Sequence, residues 1–287
     1  MDMKGVVLLT ALAAVALIGS ATGVQRVLLP AQLAGLGLAL PIVAFGASKS
    51  LVEVLGGSII DGAGRRGASI VGALAYVAGA WLLYTLPTVK GITLANLFIG
   101  AGEGLVFTAM ATAVSDLLGS QRAARSIGLM EAFAYTGYGL GAALAGVLWH
   151  RTSLTLTLTY PLLSSIVALA ILAVAFRETS TLLAMREERY EGMIVPSLEA
   201  YGIIASKPSL LLAFLSAHLS KLVDVAVWAL LPPHLLNVGL GREGTGLIIG
   251  LFLALWGVTM PYWGAISDII GRKTLVAISM ILCALML

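Results

Sequence analysis

Seven charged residues lie inside apolar stretches of the sequence: Arg26, Lys49, Glu53, Glu103, Glu131, Lys221 and Asp224. A charge in hydrocarbon costs about 2.5–3.5 kcal/mol on insertion scales, so each needs a partner, a wet cavity or a polar ligand. Lys49 and Glu53 are four apart and Lys221 and Asp224 three apart, so each pair shares a helix face. Such pairs either neutralise themselves or face a cavity where they bind a polar molecule. Glu103 has no opposite charge on its own run. Burial disfavours the charged form of a carboxyl, which suits Glu103 to exchanging a proton. Glu131 lies nearer the end of its run, within reach of Arg125 or of a turn near residue 270. Arg26 falls near the outer end of the first run. Tyr135, Tyr138, Trp228 and Trp256 are aromatic candidates for lining a cavity.

The elements that carry these residues are set by composition. Hydrophobic residues make up 59% of the 287-residue chain and charged residues 11%, against roughly 45–50% and 25% in soluble domains. That balance excludes a water-soluble fold and indicates an all-α protein of a lipid bilayer. A span needs about 20 apolar residues. Such runs fall at about 5–29, 36–60, 67–87, 91–115, 126–148, 155–176, 209–236 and 245–267, and a shorter ninth runs from about 274 to Leu287. The first is too long for the apolar part of a signal peptide. With the N-terminus inside, the inner segments hold Lys4, Arg65, Arg66, Arg122, Arg125, Arg177, Arg186, Arg189, Lys207, Arg272 and Lys273. The outer ones hold only Lys90, Arg151 and Arg242. This asymmetry is the positive-inside pattern and predicts a multi-pass cell-membrane protein with a cytoplasmic N-terminus.

The longest polar stretch, 177–208, separates six runs (1–176) from those that follow (209–287). It reads as a solvated linker in which Leu182, Leu183 and Met185 beside Arg186 and Arg189 suggest a short surface helix. The single cysteine, Cys283, and the scattered His150, His218 and His234 provide neither a disulfide nor a metal-ligand set. No cofactor is expected, and nothing indicates nucleic-acid binding or sets an oligomeric state.

Residues 61–67, DGAGRRG, fit the glycine spacing of a dinucleotide loop, but that loop follows a short strand and is answered by an acid about 20 residues on. Here it follows a membrane-length run, and the next acid after Asp61 is Glu103. The stretch instead recurs. Gly57, Asp61, Gly64, Arg65 and Arg66 match Gly264, Asp268, Gly271, Arg272 and Lys273 in spacing, and LLP at 28–30 recurs at 230–232. An internal repeat of a six-helix unit follows.

This paired pattern, between runs two and three and between eight and nine, resembles the signature of the major facilitator superfamily. The resemblance implies a helical bundle with a six-span first half and a partial second half, about eight or nine spans, against the family's usual twelve. The chain therefore reads as ending in the ninth span. The resemblance also implies two cytoplasmic gate turns, the first meeting span eleven and the second meeting span five. Gly62 and Ile269 stand where the family usually carries a charge. Asn96 replaces the family's span-four arginine ahead of Gly100 and Gly102, which places proton coupling in question. Gly128, Gly137, Gly141 and Gly146 resemble the span-five pattern of drug–proton antiporters, with Ala142 in place of its proline. Small residues at such spacing also simply let membrane helices pack closely.

These readings converge on a secondary transporter of a small solute by alternating access, antiporter-like and coupled to protons through Glu103 or Asp224. A membrane enzyme would need a cluster of nucleophiles and bases at one interface, and none is present. A non-transporting, partner-dependent product is the remaining alternative.

Overall fold

The computed structural model describes residues 3–33, 35–119, 123–180 and 197–286. Among them the chain is helical, with α1 (Met3–Gln32), α2 (Leu36–Thr85), α3 (Val89–Leu118), α4 (Ala123–Arg151), α5 (Leu154–Val174), α6 (Ser197–Ser206), α7 (Pro208–Asn237), α8 (Arg242–Ile270) and α9 (Arg272–Met286). The surface helix expected near Leu182–Arg189 and the charge at Arg122 lie outside the described residues.

Local sequence accounts for the helix ends. Thr88 caps α3 by accepting from the backbone N–H of Gly91, and Ser153 caps α5 by accepting from Leu156. Pro208 opens α7, where a missing N–H is harmless. Glycines at positive φ stop α3 (Gly119), follow α7 (Gly239) and separate α8 from α9 (Gly271).

The 50 residues of α2 would extend about 75 Å as one straight helix, more than twice the hydrocarbon thickness. Gly64, at φ 75° and ψ 164°, breaks it into arms at 36–63 and 65–85. Those backbone angles belong almost exclusively to glycine. Among the described residues, seven helices are long and apolar enough to cross a membrane. With α2 divided at Gly64 they supply eight crossing segments, and the 15-residue α9 follows.

Helix α1 runs through the middle of the bundle and is buried along most of its length. Helix α3 packs against both arms of α2, and α4 lies between α1 and α8. Small residues permit this proximity. A Cβ on Gly19 or Gly23 of α1 would strike the backbone of Ala134 or Tyr138, and one on Gly137 or Gly141 of α4 would strike Ala16 or Ser20. The opposite side of α4 meets α8, where Gly146 abuts Gly246 and Gly139 abuts Gly250. Gly100 lies against the Phe45 carbonyl in the first arm of α2, and Gly102 against Gly72 and Tyr76 in the second. Where helices have no hydrophobic drive to associate in lipid, such close van der Waals contact holds them together. The span-five glycines therefore seat α4 between two neighbours.

Candidate functional site

Glu103 is fully buried on α3. Three donors from three other helices converge on it. Lys49 Nζ of α2 lies 2.7 Å from Oε1, and the Tyr138 hydroxyl of α4 donates to the same oxygen at 2.7 Å. The Thr22 hydroxyl of α1 donates to Oε2. Thr22 also sits 2.8 Å from the Tyr76 hydroxyl. Its single proton is committed to Glu103, so Tyr76 is the donor there. Glu103 has no opposite charge on its own helix, and its ionic partner is supplied by another helix. Lys49 keeps its helix neighbour Glu53 only at 3.9 Å.

Arg26 and Asp224 form the second pair. Arg26 of α1 donates to Asp224 Oδ1 of α7 at 2.9 Å, and both residues are 5% exposed. The guanidinium lies 4.3 Å from the Tyr138 ring centroid and 5.3 Å from that of Trp228, a cation–π arrangement on both. Arg26 is therefore a buried tie between the first six-segment unit and α7. Lys221 and Asp224 do not pair with each other. Lys221 Nζ donates to the Tyr135 hydroxyl at 2.7 Å, and Tyr135 lies 3.5 Å from Asp224 Oδ2. The i,i+3 spacing placed these two residues on one face, but each found a partner across the bundle.

Between these pairs lies a cavity of about 430 Å³. Its charged lining is Arg26, Lys49, Glu53, Glu131, Lys221 and Asp224. Glu103 sits behind Lys49 and Tyr138. Glu131 faces this cavity rather than Arg125 or the turn near residue 270, and it has no ion pair among the described residues. Phe45, Phe107, Met130, Val225 and Trp228 form the apolar walls. Phe45 and Trp228 meet edge to face at 5.3 Å, closing the side near Arg26. Thr22 and Tyr76 had no signal in the sequence beyond a polar side chain in an apolar run.

The first turn is anchored within its own unit. Arg65, 5% exposed, donates through Nε to Asp116 Oδ2 at the end of α3 at 2.9 Å, and Thr179 donates to the same oxygen at 2.7 Å. Asp61 lies 3.5 Å from Arg65 and is largely exposed. The Glu178 carboxylate accepts the backbone N–H groups of Arg65 at 3.1 Å and Arg66 at 3.0 Å. Burial pushes the Glu178 carboxyl up, but the N–H groups of Arg66, Ser180 and Arg65 together outweigh it and hold it below its usual value. Arg66 also reaches the Ala173 carbonyl. Gly57 is exposed just before the turn. Within the described residues, Asp116 and Glu178 are the partners that hold this turn.

The second turn differs. Gly264 is half-buried, Gly271 has φ 89°, and Arg272 and Lys273 are exposed without an ion-pair partner among the described residues. The side chain of Asp268 lies outside what the structure describes. Near α4, Gly128 approaches Met260 and Pro261 of α8, not this turn.

Apolar helices thus surround a charged central cavity, and the Arg26–Asp224 ion pair links the first six segments to α7. The chain belongs to the major facilitator superfamily, whose sequence model matches residues 7–287. No curated protein sequence matches it. A solved D-xylose–proton symporter shares the fold at a TM-score of 0.57 and 15% identity, covering 95% of this chain and 70% of the symporter.

Proposed function

We propose that this secondary transporter moves a small polar solute by alternating access, with the cavity between α1, α2, α4 and α7 as its binding site. The observation that supports this most is that charged residues of the first unit and of α7 face one cavity and are joined by the buried Arg26–Asp224 pair. A transporter that rocks two units about a central site must break such a tie in one state and remake it in the other. In this reading the N-terminus is cytoplasmic, and the turns after Gly57 and Gly264 belong to the inner gate.

Proton coupling through Glu103 is part of the proposal, and Lys49 is its movable element. Lys49 lies between Glu103 on α3 and Glu53 one turn further along α2. A proton arriving on Glu103 removes the charge that holds Lys49, and the ammonium then swings to Glu53 inside the cavity. Glu103→Gln keeps the shape and removes the charge. In proteoliposomes of the purified chain, that variant should lose uptake or efflux driven by a pH gradient while keeping exchange driven by solute alone. Unchanged pH-driven flux would remove Glu103 from the coupling role.

A further inference from the structure

The cavity presents two walls of opposite chemistry. On the side of α2 and α4, Glu53 has only Lys49 at 3.9 Å and Glu131 has no ion-pair partner among the described residues, while Lys49, which also lines the cavity, is held by Glu103 at 2.7 Å. On the side of α7, Lys221, Asp224, Val225 and Trp228 recur at i, i+3, i+4 and i+7, so one helix face lines the cavity. The acid of that face is already tied to Arg26. What remains is donor chemistry. Lys221 is an ammonium whose near partner is the neutral Tyr135 hydroxyl. Behind the lining, the Trp228 indole N–H and the Arg26 Nε–H are buried with no hydrogen-bond partner among the described residues. Buried donors of this kind are rare and call for an acceptor.

We propose that the cavity binds a zwitterionic, amino-acid-like solute with an apolar side chain. Its ammonium lies at Glu53 and Glu131, its carboxylate at Lys221 and the donor face of α7, and its side chain against Phe45, Phe107 and Met130. The inference rests on the transport role proposed for this cavity and adds the class of cargo. A sugar is a poorer fit: Ser50, Thr108, Tyr135 and Tyr138 can meet some of its hydroxyls, but a neutral ligand leaves the charges of Glu53, Glu131 and Lys221 unmatched. A simple organic cation leaves Lys221 unmatched, and a simple carboxylate leaves Glu53 and Glu131 unmatched.

The experiment measures binding to the purified full chain by quenching of its tryptophan emission, with four probes: L-leucine, L-leucinamide, 4-methylpentanoate and D-xylose. Leucine should bind more tightly than either single-charge analogue by roughly tenfold or more, the loss expected of a charge-assisted hydrogen bond. D-xylose should not compete. Glu53→Gln with Glu131→Gln should erase the preference for leucine over 4-methylpentanoate. Lys221→Met should erase the preference for leucine over leucinamide, and Lys221→Arg should keep it. Each readout is a ratio of two ligands on the same protein, so partial loss of folded material cancels, and the wild-type ratios alone already test the claim. Tight xylose binding, no leucine binding, or ratios unmoved by these substitutions would overturn it. Leucine binding without flux in proteoliposomes would sink the transport reading and leave this one standing. Flux of another solute with no preference among the leucine analogues would do the reverse.

Discussion

The two glycine turns share spacing but not surroundings. Residues 57–66 and 264–273 carry the same Gly, Asp, Gly and basic pair, and both central glycines have positive φ. Yet Arg65 is buried on Asp116 while Arg272 is exposed, and Glu178 grips the backbone after Gly64 while a Cβ on Gly271 would meet nothing. The local sequence thus specifies where each helix stops and the chain reverses. What makes a turn rigid is supplied from the ends of other helices. The first turn is a clamp, and the second is a bare reversal with two solvated cations.

The strongest way to break this contrast is to remove Asp116. Arg65 and Asp116 side chains are only 6% and 3% exposed. Breaking a buried pair costs about 3–5 kcal/mol when nothing else answers the charge, and here only the exposed Asp61 at 3.5 Å would remain to Arg65. Asp116→Ala should therefore lower the thermal midpoint of the detergent-solubilised chain by the largest margin of any substitution in either turn. Arg272→Ala should stay within about 0.5 kcal/mol of wild type, as exposed positions do. Equal losses would show that the two turns are equivalent in solution.

The next test compares glycines. Alanine at either Gly64 or Gly271 must adopt a backbone conformation that costs about 1–3 kcal/mol outside glycine. At Gly64 the added methyl would also lie within 3.0 Å of the Glu178 carboxyl carbon. Displacing that carboxylate gives up its hydrogen bonds to Arg65 and Arg66, so Gly64→Ala should be worse than Gly271→Ala by about 1 kcal/mol or more. Denaturation of the two single variants side by side gives the difference directly.

Much of this architecture was legible from the sequence because its causes are local. Hydrophobic run lengths located the crossing segments, and the repeated pattern located the turns. Even the charged lining was visible, because Arg26, Lys49, Glu53, Glu131, Lys221 and Asp224 interrupt apolar runs and face one cavity. The pairing was not legible. Helical spacing offers Lys49 to Glu53 and Lys221 to Asp224, whereas the shorter contacts are Lys49 to Glu103 and Arg26 to Asp224. Those depend on how α1, α3 and α7 rotate against each other, which run length does not encode. The leftover charges did carry a signal: Arg26 and Glu103 had no partner on their own helices and so required one elsewhere. Asp116, near the end of α3, and Glu178, after α5, carried no signal of this role, since nothing in the linear sequence brings them to Arg65.

The smallest effect is the one that reports on the clamp alone, through pH. The Glu178 carboxyl is held below its usual value by the N–H groups that outweigh its burial. A carboxyl lowered in the folded state stabilises it fully above the unfolded value, about 4.3 for glutamate. That stabilisation fades as pH falls through the lowered folded value. Wild type should therefore exceed Glu178→Gln in stability at pH 7, by less than about 1 kcal/mol because the group is partly exposed. The difference should vanish on acidification to below that range, with the two melting curves converging. The corresponding pair at the second turn, wild type and Arg272→Gln, should show no such convergence, because no carboxylate among the described residues holds that cation. A gap between wild type and Glu178→Gln that persists unchanged into acid would mean that Glu178 acts by shape rather than by charge. The first turn would then differ from the second in packing alone.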